Sequence, residues 1–370
     1  MSTQHVDVAV IGAGLGGAVA AITLAQRGAR VALFEAAKMP RHKVCGEFLS
    51  PEIKQIFARI HVLDSIEHTG ACRIESARIV SGHRVLETTL PGAALAISRY
   101  RLDELLWEAA QSAGAQCFDE ARVRSIEGNV RDGFLVSTQG EQWHARFVVA
   151  AAGRNARVLN TGNDATSSPA RFVGFKTHFG NAALEPGAVE LHPFRGGYCG
   201  LVRIEDGLTN ACLLADYNVV AGRSPAAFWQ WLLGECPALR RRVGDAQTTM
   251  PWLSTANITF GGTQPVQDGV LRCGDAAGFI HPLTGDGMAM AARSGELAAV
   301  IIVAALKHGL KKNDISALYT AAWRREFAAR LRWATRLQPL LTSPHGCALA
   351  VGVLKHTPGL ARRAVALTRG

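Results

Sequence analysis

Two glycine-rich segments lie near opposite ends of this 370-residue chain, and both are built to receive phosphate and sugar. The first reads Asp7-Val8-Ala9-Val10-Ile11-Gly12-Ala13-Gly14-Leu15-Gly16-Gly17 and leads to Phe34-Glu35 about twenty residues on. Gly12, Gly14 and Gly17 fit the spacing G-x-G-x-x-G. The first glycine of such a motif permits a tight turn out of a strand. The second lets the backbone approach a pyrophosphate, and the third lets a helix pack on the sheet. The anion then sits at a helix N-terminus, where free N–H groups and the helix dipole favour negative charge. An acid at the position of Glu35 accepts hydrogen bonds from an adenosine ribose. The second segment is Gly274-Asp275-Ala276-Ala277-Gly278, followed by Pro282, Gly285 and Gly287. Asp275 follows an apolar run and is placed to accept from a sugar-chain hydroxyl; an N-capping Asp before a helix is the lesser alternative. The pair points to a resident FAD rather than a passing nicotinamide.

The elements that must position these residues can be read from periodicity. Residues 6–11 form an apolar run that suits a buried parallel strand. Residues 16–27 carry Ala and Leu at helical spacing and stop at Gly28, and residues 30–35 make a second strand. Two prolines and a glycine make residues 38–51 an extended loop. Helix is expected at 52–66, 100–113, 225–242 and from 288 onward. Strands are expected at 75–97, 121–127, 133–138, 143–151, 172–180, 188–192, 198–204 and 209–215, with one more at 269–273. This order predicts an α/β chain: a Rossmann-type FAD-binding lobe, an inserted β-sheet substrate lobe and a helical C-terminal extension. The FAD lobe is discontinuous, taking 1–75, 98–165 and 250–300. The inserted sheet takes 76–97 and 166–249, and the extension takes 301–370.

Composition sets the remaining bounds. The chain is 48% hydrophobic with 19% charged residues, as in an ordinary globular enzyme. No uninterrupted apolar run reaches the roughly 18 residues of a spanning helix. The first strand opens almost at once, which predicts no secretory leader. The eight cysteines contain no C-x-x-C pair, so reduced thiols in a cytoplasmic protein are expected rather than a metal site. The net charge is +10, and residues 321–370 hold nine Lys/Arg against Glu326 alone. No nucleic-acid motif or aromatic interleaving accompanies this excess. A solvated basic face and peripheral contact with an anionic membrane surface are the two readings of it.

With these residues in place, the chain resembles the FAD-dependent superfamily of para-hydroxybenzoate hydroxylase, geranylgeranyl reductase and flavin-dependent halogenases. The likeness spans residues 5–300. It implies that Gly12, Gly14, Gly17 and Glu35 hold the ADP half of FAD, and that Gly274 and Asp275 contact its ribityl and flavin end; the helix start at Gly285 and Gly287 is read from the sequence as facing the flavin's polar edge. The superfamily's arginine ahead of a helix falls on Arg99 in Ser98-Arg99-Tyr100-Arg101, with Arg101 as the second choice. The loop Arg41-His42-Lys43-Val44-Cys45-Gly46-Glu47 resembles a reductase segment that passes close to the flavin. Cys45 and Glu47 thereby become active-site candidates, and Arg41 a cofactor contact. The alternative is a buried thiol beside a turn glycine and a solvated acid. Flanking Lys43 and Arg41 would lower a thiol pKa. Tyr198 stands where the reductases' aromatic substrate signature keeps its tyrosine, and is otherwise a core aromatic. His281 lies near the expected flavin edge as a proton-transfer candidate or a structural histidine.

Three departures qualify the likeness. Ala152 stands where the superfamily's Ala-Asp-Gly motif has its acid. Gly278 replaces the histidine that aromatic hydroxylases carry after Gly-Asp-Ala-Ala. The halogenase motif Trp-x-Trp-x-Ile-Pro is missing, so halogenation is not expected. The resemblance therefore implies a single-component monooxygenase that hydroxylates an aromatic or apolar substrate with O2, NAD(P)H serving as transient co-substrate. A C=C reductase of prenyl or lipid-like chains is the alternative. A flavin-binding protein without turnover is a third class, supported by Ala152 alone.

Overall fold

The computed structural model describes residues 3–154, 172–258, 261–279, 285–309 and 312–341. Within them the expected βαβ start is present. Strand Gln4–Ile11 is buried over its last residues and pairs in parallel with Val31–Phe34 on one side and Gln142–Ala150 on the other. Helix Leu15–Gln26 crosses between the first two, and Gly28, at a φ of 85°, ends it as expected. These strands belong to an eight-stranded sheet, whose path runs Val266–Gln267, Val270–Arg272, Gln142–Ala150, Gln4–Ile11, Val31–Phe34, Gln116–Phe118. The hairpin Ser125–Asn129/Gly133–Ser137 is paired onto Gln142–Ala150.

Helices Leu15–Gln26, Arg99–Ser112 and Gly287–His308 cover one face of this sheet with an aliphatic core. Helix Gly287–His308 is long and apolar enough to cross a membrane by length and composition. Here it is a core helix, pressed against Leu15–Gln26. The two touch through glycine: a Cβ on Gly295 would lie 2.0 Å from the Gly16 carbonyl oxygen. Nothing in the sequence pattern marked Gly295.

The second sheet has nine strands and forms the other lobe. Its centre is an antiparallel run of Phe172–Gly180, Thr209–Asp216, Gly197–Arg203 and Ala188–Phe194. Alternation splits the side chains between two faces. Val173, Phe175, Phe179, Leu201, Ala211 and Leu213 pack under helices Pro225–Glu235 and Pro237–Val243. The pairing register then puts Gly174, Lys176 and His178 opposite Leu214, Cys212 and Asn210, and Leu214 and Cys212 opposite Tyr198 and Gly200, on the other face. That face meets the lobe of the eight-stranded sheet through the loop carrying Cys45 and Glu47.

The seams differ from the expected boundaries. Phe48–Leu49 and Cys72–Ser81 already belong to the nine-stranded sheet, and Leu253–Ile258 still does, pairing with Phe172–Gly180. The sheet lobe therefore begins and ends outside the 76–97 and 166–249 limits. The helix expected at 225–242 breaks at Pro237, which has no N–H to continue it and instead starts the next one. Residues 52–66 form two short helices, Ile53–Arg59 and Leu63–His68. Residues 121–124 are loop, and the strand there starts at Ser125.

Candidate active site

The first glycine segment forms a cradle in backbone. Gly12 has a φ of 99°, and a Cβ there would sit 2.6 Å from the Ala151 carbonyl oxygen. A Cβ on Gly17 would lie 1.8 Å from the Gly12 carbonyl oxygen, so this glycine closes the turn against the helix. Gly14 is different. Its nearest neighbour is the Arg99 guanidinium, 4.0 Å from a Cβ placed there, so this face is open. Gly14 is also the N-cap of Leu15–Gln26, and no side chain caps that helix. Glu35 is buried, accepts from the backbone N–H of Ala13 at 3.0 Å and of Ala37 at 3.2 Å, and has Arg41 at 3.7 Å. A glycine cradle, an uncapped helix start and an acid twenty residues on fit the ADP half of FAD.

The second segment lies beside the first. Cys273 donates its N–H to Ala150, the last residue of the strand that precedes the Ala151 contact of Gly12, and its sulfur would be 3.2 Å from a Cβ on Gly16. Gly274 takes a φ of 60°, which positions Asp275. Burial pushes the Asp275 carboxyl above its ordinary value, with Arg154 and Arg99 pulling the other way. Gly285, at a φ of 67°, approaches the Phe48 ring and leads into Gly287, the first residue of the long helix. Between them Asp286 is fully buried and paired with Arg330 at 3.0 Å. His281 lies outside the described residues.

Arg99 joins the two segments. Its guanidinium makes two 2.9 Å bonds to Asp103 one helical turn on. Lys43 reaches the same carboxylate at 2.7 Å. Burial would raise the Asp103 carboxyl, but Arg99 and Lys43 hold it below its usual range. Arg101, the second choice, is surface-exposed and pairs with Glu104. Lys43 and Arg41 are thus committed to Asp103 and Glu35 rather than to the thiol they flank.

The loop at 41–47 runs between the lobes. The Cys45 thiol is 3.6 Å from the Met288 sulfur, next to Gly287. Its carbonyl accepts from Asn210 Nδ2 at 3.2 Å. Glu47 is fully buried, contrary to the solvated-acid reading, and holds a φ of 56°. Its carboxylate accepts from Lys176, from His178 Nε2 at 2.7 Å and from the Arg99 backbone N–H at 2.6 Å. Burial raises the Glu47 carboxyl, but these donors outweigh it and hold the group below its ordinary value. Tyr198 is buried with Phe172, Leu214 and Ile258, against Leu191 and Phe279. Burial raises its hydroxyl pKa well above 10. Phe279 follows the Gly274–Gly278 turn, so this aromatic cluster adjoins the second segment.

Lys176, His178, Asp103, Asp286 and Arg330 were not anticipated from the sequence. One signal did exist for two of them: Lys176 and His178 are the polar interruptions, two residues apart, of an apolar strand, and so share one face.

The FAD binding domain family matches residues 5–332. The chain belongs to this family. It is an FAD-dependent oxidoreductase by that membership, and the glycine cradle fits the phosphates of such a cofactor. Among curated relatives, digeranylgeranylglycerophospholipid reductase 2 of Methanopyrus kandleri is 24% identical, over 91% of this chain and 86% of its own length. The 1H-pyrrole-2-carbonyl-[peptidyl-carrier protein] chlorinase of Pseudomonas fluorescens is 25% identical, over 85% of this chain and 79% of its own. In fold, the flavin-dependent brominase Bmp2 superposes with a TM-score of 0.83 at 18% identity, covering 99% of this chain and 93% of that one.

Proposed function

We propose that this FAD enzyme is a single-component monooxygenase that hydroxylates an aromatic or otherwise electron-rich apolar substrate, with NAD(P)H as transient reductant and O2 as oxidant. The observation that carries this reading is the face of the nine-stranded sheet turned toward the FAD lobe. One end of it is apolar and aromatic, with Tyr198, Leu214, Phe172 and Ile258 closed by Phe279. The other end holds the Glu47–Lys176–His178 cluster. Small residues, Gly174, Gly200 and Cys212, lie between them in register. An aromatic ring with one ionisable group suits a surface that is apolar at one end and charged at the other.

Bound FAD supplies the electron transfer, and the protein positions substrate and excludes competing reactions. The open backbone at the helix start of Gly14, with the Arg99 guanidinium beside it, would hold the phosphates. The apolar end of the sheet face would hold the substrate's ring, and the charged end its ionisable group.

Reduction of a C=C bond in a prenyl or lipid-like chain is the second reading. Two observations favour it: the Cys45 thiol at the start of helix Gly287–His308, and the reductase among the relatives. The chlorinase relative supports a halogenase reading less well, because the tryptophan motif is missing. The protein is proposed to act in the cytoplasm, with its basic C-terminal region in peripheral contact with a membrane that delivers the apolar substrate. That region is outside the described residues beyond 341.

The test is to purify the protein and mix it with NADPH or NADH in air and anaerobically, with a panel of phenolic and prenyl compounds. Substrate-dependent O2 uptake with a product heavier by one oxygen supports the monooxygenase. Anaerobic turnover with a product heavier by two hydrogens replaces it with the reductase. A yellow protein that no nicotinamide bleaches contradicts both.

A further inference from the structure

We propose that His42 is the acid–base residue of this cleft, held in place by the buried Glu47–His178–Lys176 cluster. The inference rests on the reading above that the cleft binds a substrate with an ionisable group against FAD.

His42 is half-buried, and its ring leans on two others. Its centroid is 5.0 Å from that of Tyr100 and 5.4 Å from that of His178, the latter edge-on. Its Nδ1 is buried and has no hydrogen-bond partner among the described residues. A buried polar atom without a partner is costly, of order 1–3 kcal/mol, so a hydroxyl brought to Nδ1 would gain a hydrogen bond there. The charged groups beside it are engaged with one another. His178 Nε2 and Lys176 are spent on Glu47, and Glu47 also takes the Arg99 N–H.

The cluster is adjacent to the cofactor machinery. Arg99, whose backbone N–H binds Glu47, has its guanidinium beside Gly14. The Glu47 N–H donates to Cys45, whose sulfur touches Met288.

The charges around His42 tune it in opposite directions. Burial, then Lys176 and His178, hold its pKa below 6.5, while Glu47 works to raise it. At neutral pH the ring is therefore an uncharged base with a nearby carboxylate to stabilise its protonated form. In the proposed step a substrate hydroxyl gives its proton to His42 Nδ1, leaving an oxyanion and an imidazolium. The imidazolium then passes that proton to water. No electron moves in this step. An oxyanion makes an aromatic ring more electron-rich, which is what attack by an electrophilic oxidant requires.

His42, Glu47 and His178 each offer a ligand atom within 4.8 Å of the others, the spacing of a metal site. The Lys176 ammonium on Glu47 argues against one, because it already neutralises the only carboxylate of the three.

The test uses the purified FAD-bound protein and needs no substrate. The midpoint potential of the bound FAD is measured against pH, alongside a histidine NMR titration, for wild type and His42→Gln. The expected result is an inflection below pH 6.5 in the wild type, matched by one titrating histidine, both lost in H42Q at unchanged FAD content and fold. A wild-type curve with no inflection, or one that H42Q leaves unmoved, overturns the proposal while leaving the FAD reading intact. Stoichiometric retention of zinc or iron by the wild type, lost in H42Q, also overturns it. A protein that purifies without FAD overturns the functional reading itself.

Discussion

The two lobes build their halves of the site by opposite means. The FAD lobe does it by leaving side chains out: Gly12 and Gly17 let the turn close on itself, Gly14 leaves backbone open, and Gly16 and Gly295 bring two helices into contact. The sheet lobe does it by burying charge: Lys176 and Glu47 have no exposed side-chain surface, and Glu190 none either. Backbone cradles bind what every dinucleotide shares, while buried ionic groups differentiate one substrate and one chemistry from another. On the proposed reading, the first half of the site would carry the family's common cofactor and the second this chain's own specificity.

The contrast breaks first at Gly17. If the glycines were interchangeable, Gly17→Val would behave like Gly14→Val. The 1.8 Å approach to the Gly12 carbonyl predicts instead that G17V cannot close the turn. It should give insoluble protein or lose its cooperative unfolding transition, as read by circular dichroism on heating.

The buried pair in the sheet lobe gives the next largest effect. Glu47→Gln leaves the Lys176 ammonium without its countercharge, and breaking such a pair costs about 3–5 kcal/mol. Replacing both, Glu47→Gln with Lys176→Met, should recover most of that in urea unfolding. Equal destabilisation by the single and double variants would mean that the pair is not coupled.

A smaller effect tests the second ionic cluster. Glu190 accepts two bonds from Arg242 at 3.0 and 2.8 Å, with Arg78 at 3.6 Å and His192 at 3.3 Å. Burial raises its carboxyl, yet these partners bring it down to about 2, from an ordinary 4.5. The folded pKa lies below the unfolded one, so the stabilisation is complete above about pH 4.5 and fades as pH falls toward 2. Glu190→Gln should lower Tm at pH 7, and its gap to wild type should narrow between pH 5 and pH 2. A gap that stays constant would show that the cluster contributes through shape, not charge.

The same contrast explains what was legible in the sequence. The glycine spacing, Glu35 and the Gly274-Asp275 turn are local patterns, and the structure brings the two segments together through Ala150, Cys273 and Arg99. The Glu47 cluster is assembled from a loop and a strand about 130 positions apart, with His42 added by ring packing. No spacing rule joins such residues, so Glu47 read equally well as a solvated acid. The boundaries of the sheet lobe were misplaced for a related reason: Leu253–Ile258 earns its sheet membership only by pairing with Phe172–Gly180.

The central claim is that one FAD lies along the open backbone at Gly14 and reaches the turn at Asp275. Gly14→Val tests it most directly, because among the described residues only Arg99, at 4.0 Å, comes near a Cβ placed at Gly14. The measurement is the ratio of released FAD to chain for wild type and G14V, with circular dichroism as the control for folding. The account predicts close to one FAD per chain in the wild type and almost none in a G14V protein that is still folded. A folded G14V that retains its full FAD would contradict it.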